Sequence, residues 1–374
     1  MDIESYFNLD DKLIYVNHAA VTPWPVKTLA AVKAFAEENA KLGSRHYPQW
    51  IDTETQLRAQ LAQLINAPSV DEIALLKNTS EALSVIAYGL NWQAGDNIII
   101  ADEEFPSNRI VWESLKPQGV EIRYASLKGT DPEQALMDLM DENTRLLSIS
   151  SVQYASGLYL QLEPLGACCR RRNILFCVDA IQHIGALKFD AQAIQADFVV
   201  ADGHKWMLGP EGLALFYCRR ELINTLKLNQ YGWHMVENHL DFDAMDQWRP
   251  ATSARRFECG SPNMLAIHAL NASIGVLLEI GMGRIQQAVL DKVQYLIHHL
   301  SGQADIQTLS PTDINRHAGI FTFRKTGVKN ADLYKRLVEK GVVCALRGGG
   351  VRFSPHFYTS TQKLDTLIEW VLAS

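Results

Sequence analysis

A chain of 374 residues, 47% hydrophobic and 21% charged, is long enough for two packed domains and apolar enough to bury a substantial core. Its formal net charge of -7, with no block of like charges, argues against a nucleic-acid or membrane-surface role, since both need a concentrated basic face. Small acidic metabolites remain open as partners if basic residues gather in a pocket.

In chain order, Met1 to Asp10 carries acidic residues and no apolar run behind basic charge, so it does not read as a signal peptide. No later segment has the uninterrupted apolar length of a membrane-spanning helix, and a cytoplasmic location is expected. From Ile73 to Phe216, apolar strand-like runs alternate with helix-length segments, the pattern of a mostly parallel sheet covered on both faces. The strands fall at Glu72 to Lys77, Asn97 to Ala101, Glu121 to Ala125, Leu146 to Ser150, Ile174 to Asp179, Asp197 to Ala201 and Leu213 to Tyr217. After Ser261 the pattern changes: one long helical stretch over Asn263 to Leu300, a strand over Gly319 to Arg324, a helix over Ala331 to Lys340, and short strands around Val342 and Val351. The expected division is a large α/β domain over residues 16–260 and a smaller α+β domain over 261–374, joined by the N-terminal arm 1–15.

Cys168, Cys169, Cys177, Cys218, Cys259 and Cys344 contain no C-x-x-C pair, so no metal site is expected and most read as small buried hydrophobes of a reducing compartment. Neither G-x-G-x-x-G after a first strand nor G-x-x-x-x-G-K-[ST] occurs, which removes the nucleotide-binding signatures of similar α/β architectures.

The chemistry gathers at strand ends. The apolar run ILFCVDA ends in Asp179, and in an open α/β sheet ligands bind beyond the carboxyl ends of strands. Taken alone, Asp179 reads first as the cap of the helix that follows. The next strand, DFVVADGHKW, delivers His204 and Lys205 to the same rim. A lysine that can form an imine and a carboxylate that can keep a pyridine nitrogen protonated are the pair that pyridoxal 5′-phosphate (PLP) chemistry needs. Lys77 to Ala82, KNTSEA, supplies a strand end, hydroxyl groups and a helix start suited to a phosphate; by itself it is an ordinary capping sequence.

These residues resemble the class V aminotransferase and cysteine desulfurase group, isopenicillin N epimerase-like enzymes included, of fold-type I PLP enzymes, over about Val16 to the C-terminus. The most specific segment is VDAIQHIGALKFDAQAIQADFVVADGHKWMLGPEG; YVNHAA, KNTSEAL, DEEFPSN, RRFECGSPN and VRFSPHFY follow the family's order. The resemblance implies PLP as cofactor, Lys205 as the Schiff-base lysine and general base, Asp179 as partner of the pyridinium nitrogen and Gln182 as donor to the phenolic oxygen. It implies Thr79, Ser80 and His204 as phosphate ligands and Phe105 as the group stacked on the ring. Ser261 is similar to a residue that a neighbouring subunit adds to the phosphate cup, which implies a homodimer with shared active sites. Arg352 resembles the binder of the substrate α-carboxylate, a role that its planar fork suits. Asn17 and His18 are expected at the substrate pocket, although a buried structural role fits His18 as well.

Three departures stand out. Asp202 replaces a serine of many relatives; beside a phosphate it is repulsive, and it is expected to turn away or take a backbone donor. Tyr154 stands where desulfurases usually carry an asparagine. The connection Leu346 to Val351, LRGGGV, lacks the mobile cysteine that desulfurases hold before the arginine, while Cys344 lies upstream in an apolar strand. The substrate implied is an α-amino acid whose amine displaces Lys205, after which the freed lysine removes the Cα proton. Transamination is the first expectation, because the loop cysteine is missing. A cysteine desulfurase, C–S lyase or selenocysteine lyase-like reaction comes next, then epimerisation. A non-catalytic PLP-binding relative would have lost Lys205, Asp179 or Arg352, and all three are present.

Overall fold

The computed structural model describes residues 4–243 and 245–374. Seven strands form the main sheet: β1 (Ile73–Leu76), β2 (Asn97–Ala101), β3 (Glu121–Ala125), β4 (Thr144–Ser150), β5 (Leu175–Asp179), β6 (Phe198–Asp202) and β7 (Ala214–Cys218). Their order across the sheet is β1-β7-β6-β5-β4-β2-β3, and β7 alone runs antiparallel to its neighbours. IALL, NIIIA and FVVAD are buried at every position, because helices cover both faces and leave no side of these strands to water.

One face carries a core that includes Leu57 and Leu61 of α1 (Tyr47–Leu64) together with Leu270 and Ile274 of α3 (Met264–Ile280). The other face carries Leu83 and Ile86 of α2 (Thr79–Gly89), with Trp112 and Phe257. A third core lies between α4 (Met282–Leu300), a C-terminal helix (Thr361–Leu372) and a four-stranded antiparallel sheet, ordered β10-β11-β9-β8. Those strands are β8 (Ile306–Thr308), β9 (Phe321–Lys325), β10 (Ala345–Arg347) and β11 (Gly350–Phe353). The N-terminal arm joins this region through Ile14 and Tyr15, which pair in parallel with Val342 and Val343.

The single helix expected over 263–300 is two helices. Gly281, at φ +89°, ends α3, and α4 leaves at 85° to it. A left-handed φ is open to glycine without the steric conflict that a side chain brings, so the chain turns there and the two helices serve different cores. No single described helix is long and apolar enough to cross a membrane.

Candidate active site

β1, β2, β4, β5 and β6 all end on one rim, and the segments that leave them enclose a cavity of about 240 Å³. Thr79, Ser80, Phe105, Asp179, Gln182, His204, Lys205 and Arg352 line it, drawn from segments 273 residues apart.

Asp179 closes β5 and is 2% exposed. One carboxylate oxygen accepts the Ile181 N–H at 3.0 Å, but the segment that follows is a series of turns and not the expected helix, so the bond closes a turn; the other oxygen carries no hydrogen bond among the described residues. Burial, and then the nearby Glu104 carboxylate, push its pKa up, against the pull of that N–H and of Lys205. Burial pushes the Lys205 amine the opposite way, aided by the Arg352 and Arg347 guanidinium groups, while Asp179 and Asp202 hold it up. Both shifts have one origin, since a closed cavity disfavours whichever form is charged.

The turn that carries Lys205 is anchored from behind. Trp206 is fully buried, its indole N–H bonds Gln182 Oε1 at 2.8 Å, and its carbonyl contacts His356 Nε2 at 3.1 Å. Gln182 also donates to the Ala19 carbonyl at 3.0 Å; an amide nitrogen has two protons, so one donor stays free at the cavity wall. Lys205 Nζ lies 5.6 Å from the Phe105 ring centroid, and that ring meets Tyr154 edge-on at 5.2 Å.

At the N-terminus of α2, Thr79 Oγ1, His204 Nδ1 and Asp202 Oδ1 are buried without hydrogen-bond partners among the described residues. Asp202 Oδ2 accepts the Thr79 backbone N–H at 3.2 Å, and Oδ1 sits 3.5 Å from His204 Nδ1. Asp202 thus takes a backbone donor, as expected, but it stays in the cavity wall and does not turn away. An eleven-residue helix start with two unused side-chain donors suits a phosphate. An amine in reach of an aromatic face, a buried acid on the neighbouring strand and this donor set together fit PLP.

Arg352 is 2% exposed and has no carboxylate partner among the described residues. It donates from Nη1 to the Tyr154 carbonyl at 2.7 Å, and its Nε is buried without a partner. Burial, reinforced by Arg347, lowers its pKa to about 10. Tyr154 therefore contributes its carbonyl to Arg352 and its ring to Phe105.

Two expected residues fall elsewhere. His18 is fully buried, with Nδ1 2.8 Å from the Ser354 carbonyl and Nε2 2.6 Å from Tyr358 Oη; burial lowers its pKa to about 3. It is a neutral strut between the N-terminal arm and the segment after β11. Asn17 forms a backbone bridge with Ser354 and does not line the cavity; Ala19, Ala20 and Val21 do. Both corrections have one cause, since the arm adds to the C-terminal sheet region through the Asn17 backbone and packs the His18 ring against Ser354 and Tyr358. Ser261 lies outside this cavity, beside Lys77, Glu81 and Cys259 in a separate one, where it accepts the Trp233 indole N–H at 3.3 Å.

Sequence reasoning passed over Glu104 and Arg347. Glu104, 6% exposed, accepts the Ser150 N–H at 2.7 Å and is bonded by Ser150 Oγ, Gln153 and Asn108. The segment DEEFPSN offers three acids in a row and no local signal to choose the buried one. No cysteine lines the cavity. Cys344 is buried in the third core, and burial raises its pKa to about 12.

The chain matches the family "Aminotransferase class-V" over residues 14–367. It is 30% identical to a probable cysteine desulfurase of Methanothermobacter thermautotrophicus over 379 residues, covering 95% of this chain and 93% of that protein. In fold it is similar to a cysteine desulfurase from Thermococcus onnurineus NA1, at TM-score 0.88, 24% identity and coverage of 100% and 98%. It is also similar in fold to the cystine C–S lyase C-DES solved with its product cysteine persulfide, at TM-score 0.88, 21% identity and coverage of 96% and 97%. The chain belongs to the class-V aminotransferase family, PLP-dependent enzymes of fold type I that act as transferases or lyases.

Proposed function

We propose that this enzyme cleaves the C–S bond of a sulfur-bearing α-amino acid and releases the sulfur in a small molecule, with no protein thiol as acceptor. The observation that carries the reading is a cavity that joins Lys205, Asp179 and Arg352 but contains no cysteine. The relatives named cysteine desulfurase favour C–S cleavage over the transamination expected first.

PLP, when bound, supplies the electron sink for the carbanion at the substrate Cα. Arg352 holds the substrate carboxylate through two parallel hydrogen bonds, which orients the Cα–H toward Lys205. Lys205, in the cavity that lowers its proton affinity, is unprotonated often enough at neutral pH to take that proton. Asp179 keeps a proton at the ring nitrogen, Phe105 covers the ring, and Thr79, Ser80 and His204 hold the phosphate. Loss of the β-sulfur then follows; with cysteine and water, the balanced products are pyruvate, ammonia and sulfide.

A second copy of the chain completes this site in our reading. Ser261 is exposed and outside its own cavity, and it bonds Trp233, whose ring meets the exposed Phe242 at 5.6 Å. All six cysteines are free, in keeping with a reducing, cytoplasmic location.

The test is to record the visible spectrum of the holoenzyme and incubate it with cysteine while sulfide, pyruvate, alanine and keto acids are measured. Sulfide release that survives Cys344→Ser supports the proposal. Conversion of the cofactor to its amine form with a keto acid and no sulfide returns the enzyme to transamination. Absence of a bound chromophore after added PLP removes both.

A further inference from the structure

Ala19, Gln182, Trp206, Ser354 and His356, each at most 1% exposed, close a circuit of hydrogen bonds behind the cavity. The Trp206 indole N–H donates to Gln182 Oε1 at 2.8 Å, and Gln182 Nε2 donates to the Ala19 carbonyl at 3.0 Å. The Ala19 N–H donates to Ser354 Oγ at 3.0 Å. Further along the same segment, His356 Nε2 lies 3.1 Å from the Trp206 carbonyl and returns the circuit to its start.

The circuit fixes the state of the His356 ring. A carbonyl only accepts, so Nε2 carries the proton and donates to Trp206, while Nδ1 accepts the Phe357 N–H at 2.8 Å. Burial, and then His18, push its pKa well below the ordinary imidazole value. His356 is thus a neutral imidazole whose one donor is spent on the turn that carries Lys205. That turn is also hemmed in by packing. A methyl group at Gly185 would sit 2.2 Å from the Trp206 carbonyl oxygen, and one at Gly319 would sit 2.3 Å from the Trp206 ring, so both glycines make room for Trp206 and leave no slack around it.

The circuit also links the two groups that grip the substrate. Arg352 and Ser354 are alternate residues of one extended segment, β11 and the bridge residue that follows it, so they share a face. Lys205 immediately precedes Trp206. The His356–Trp206 bond therefore ties the segment that carries the carboxylate fork directly to the turn that carries the amine.

We infer that His356 is a positioning residue for the α-proton transfer: through the Trp206 carbonyl it holds the Lys205 amine in register with the Arg352 fork, so that the Cα–H of a bound amino acid faces Nζ. The inference rests on the roles read for Lys205 and Arg352. His356 itself does not line the cavity and acts through the turn. An error of about 1 Å in such a placement costs up to about 100-fold in rate.

The experiment follows washout of deuterium from Cα-deuterated cysteine into water by the holoenzyme, with acetate binding read separately from the cofactor spectrum. His356→Phe keeps a ring and loses the donor; His356→Gln places an amide N–H near the position of Nε2. Washout should fall by about 10–100-fold in His356→Phe, with acetate affinity within about threefold of the wild type. His356→Gln should recover most of that loss. A wild-type rate in His356→Phe, or equal losses in the Phe and Gln variants, would overturn the inference. So would a loss of acetate affinity as large as the loss of rate, since that reports a general loosening of the site. If His356→Phe does not fold, His356→Asn takes its place: its shorter amide can still accept the Phe357 N–H but falls short of the Trp206 carbonyl, and it should show the same loss relative to His356→Gln. Washout by Lys205→Ala at the wild-type rate would instead fail the reading beneath.

Discussion

Two arginines, both largely withdrawn from water, have opposite surroundings. Arg58 is clasped by Glu54 at 2.7 Å and Glu258 at 2.6 Å, and Glu258 also accepts the Leu75 N–H at 2.8 Å. His234, 1% exposed, completes the group with its ring nitrogens 3.8 Å from Glu54 and 3.5 Å from Glu258. Arg352 has one carbonyl and, among the described residues, no acid. Glu54, His234 and Glu258 also have the donor chemistry of a metal site, yet Arg58 already supplies the positive charge that those carboxylates need. A buried cation with its counter-ions in place is part of the fold. A buried cation without them is stabilised by what binds.

The largest test of the functional half is Lys205→Ala. It should lower turnover by about 10²–10⁴-fold and abolish the imine absorption, while Tm changes little. On the structural half, Arg58→Ala leaves two carboxylates buried together and should destabilise the protein by about 3–5 kcal/mol, read by denaturant unfolding of the apoprotein. If Arg58→Ala leaves stability unchanged, the contrast collapses. Arg352→Ala should give the reverse profile, with KM for an α-amino acid up by about 10–100-fold and stability maintained or improved, since an uncompensated charge is removed. A fall in Tm as large as that for Arg58→Ala would make Arg352 structural.

The smallest effect sharpens the comparison through pH. Burial raises the pKa of Asp179, so the folded chain keeps that proton longer than the unfolded chain does. The stability linked to this proton is fully present below the ordinary carboxylate range and is lost as pH rises through the raised value. Asp179→Asn, which can still accept the Ile181 N–H, should therefore raise the apoprotein Tm at pH 8 and converge with the wild type as the pH falls toward 4. The same variant should bind PLP more weakly. A Tm gain that does not depend on pH would assign the effect to packing.

His18 shows how far local reading reaches. Its place in YVNHAA put it near the active site in sequence order, and its ring lies near Trp206, centroid to centroid at 6.1 Å. What it does was settled by Ser354 and Tyr358, 336 and 340 residues away. Glu104 is similar, since only the approach of β4 through Ser150 distinguishes it from Asp102 and Glu103.

The sequence by itself determined the seven strands of the main sheet, because an apolar run buried on both faces is legible residue by residue. It also placed Asp179 and Lys205 on one rim, because strand order in an α/β chain puts carboxyl ends together. Tertiary structure alone decided which charges are compensated. Arg58 meets Glu258 across 200 residues, and Arg347 turns beside Arg352 through a glycine hairpin. Coulomb interactions depend on distance and burial in space, and neither is a local property of the chain.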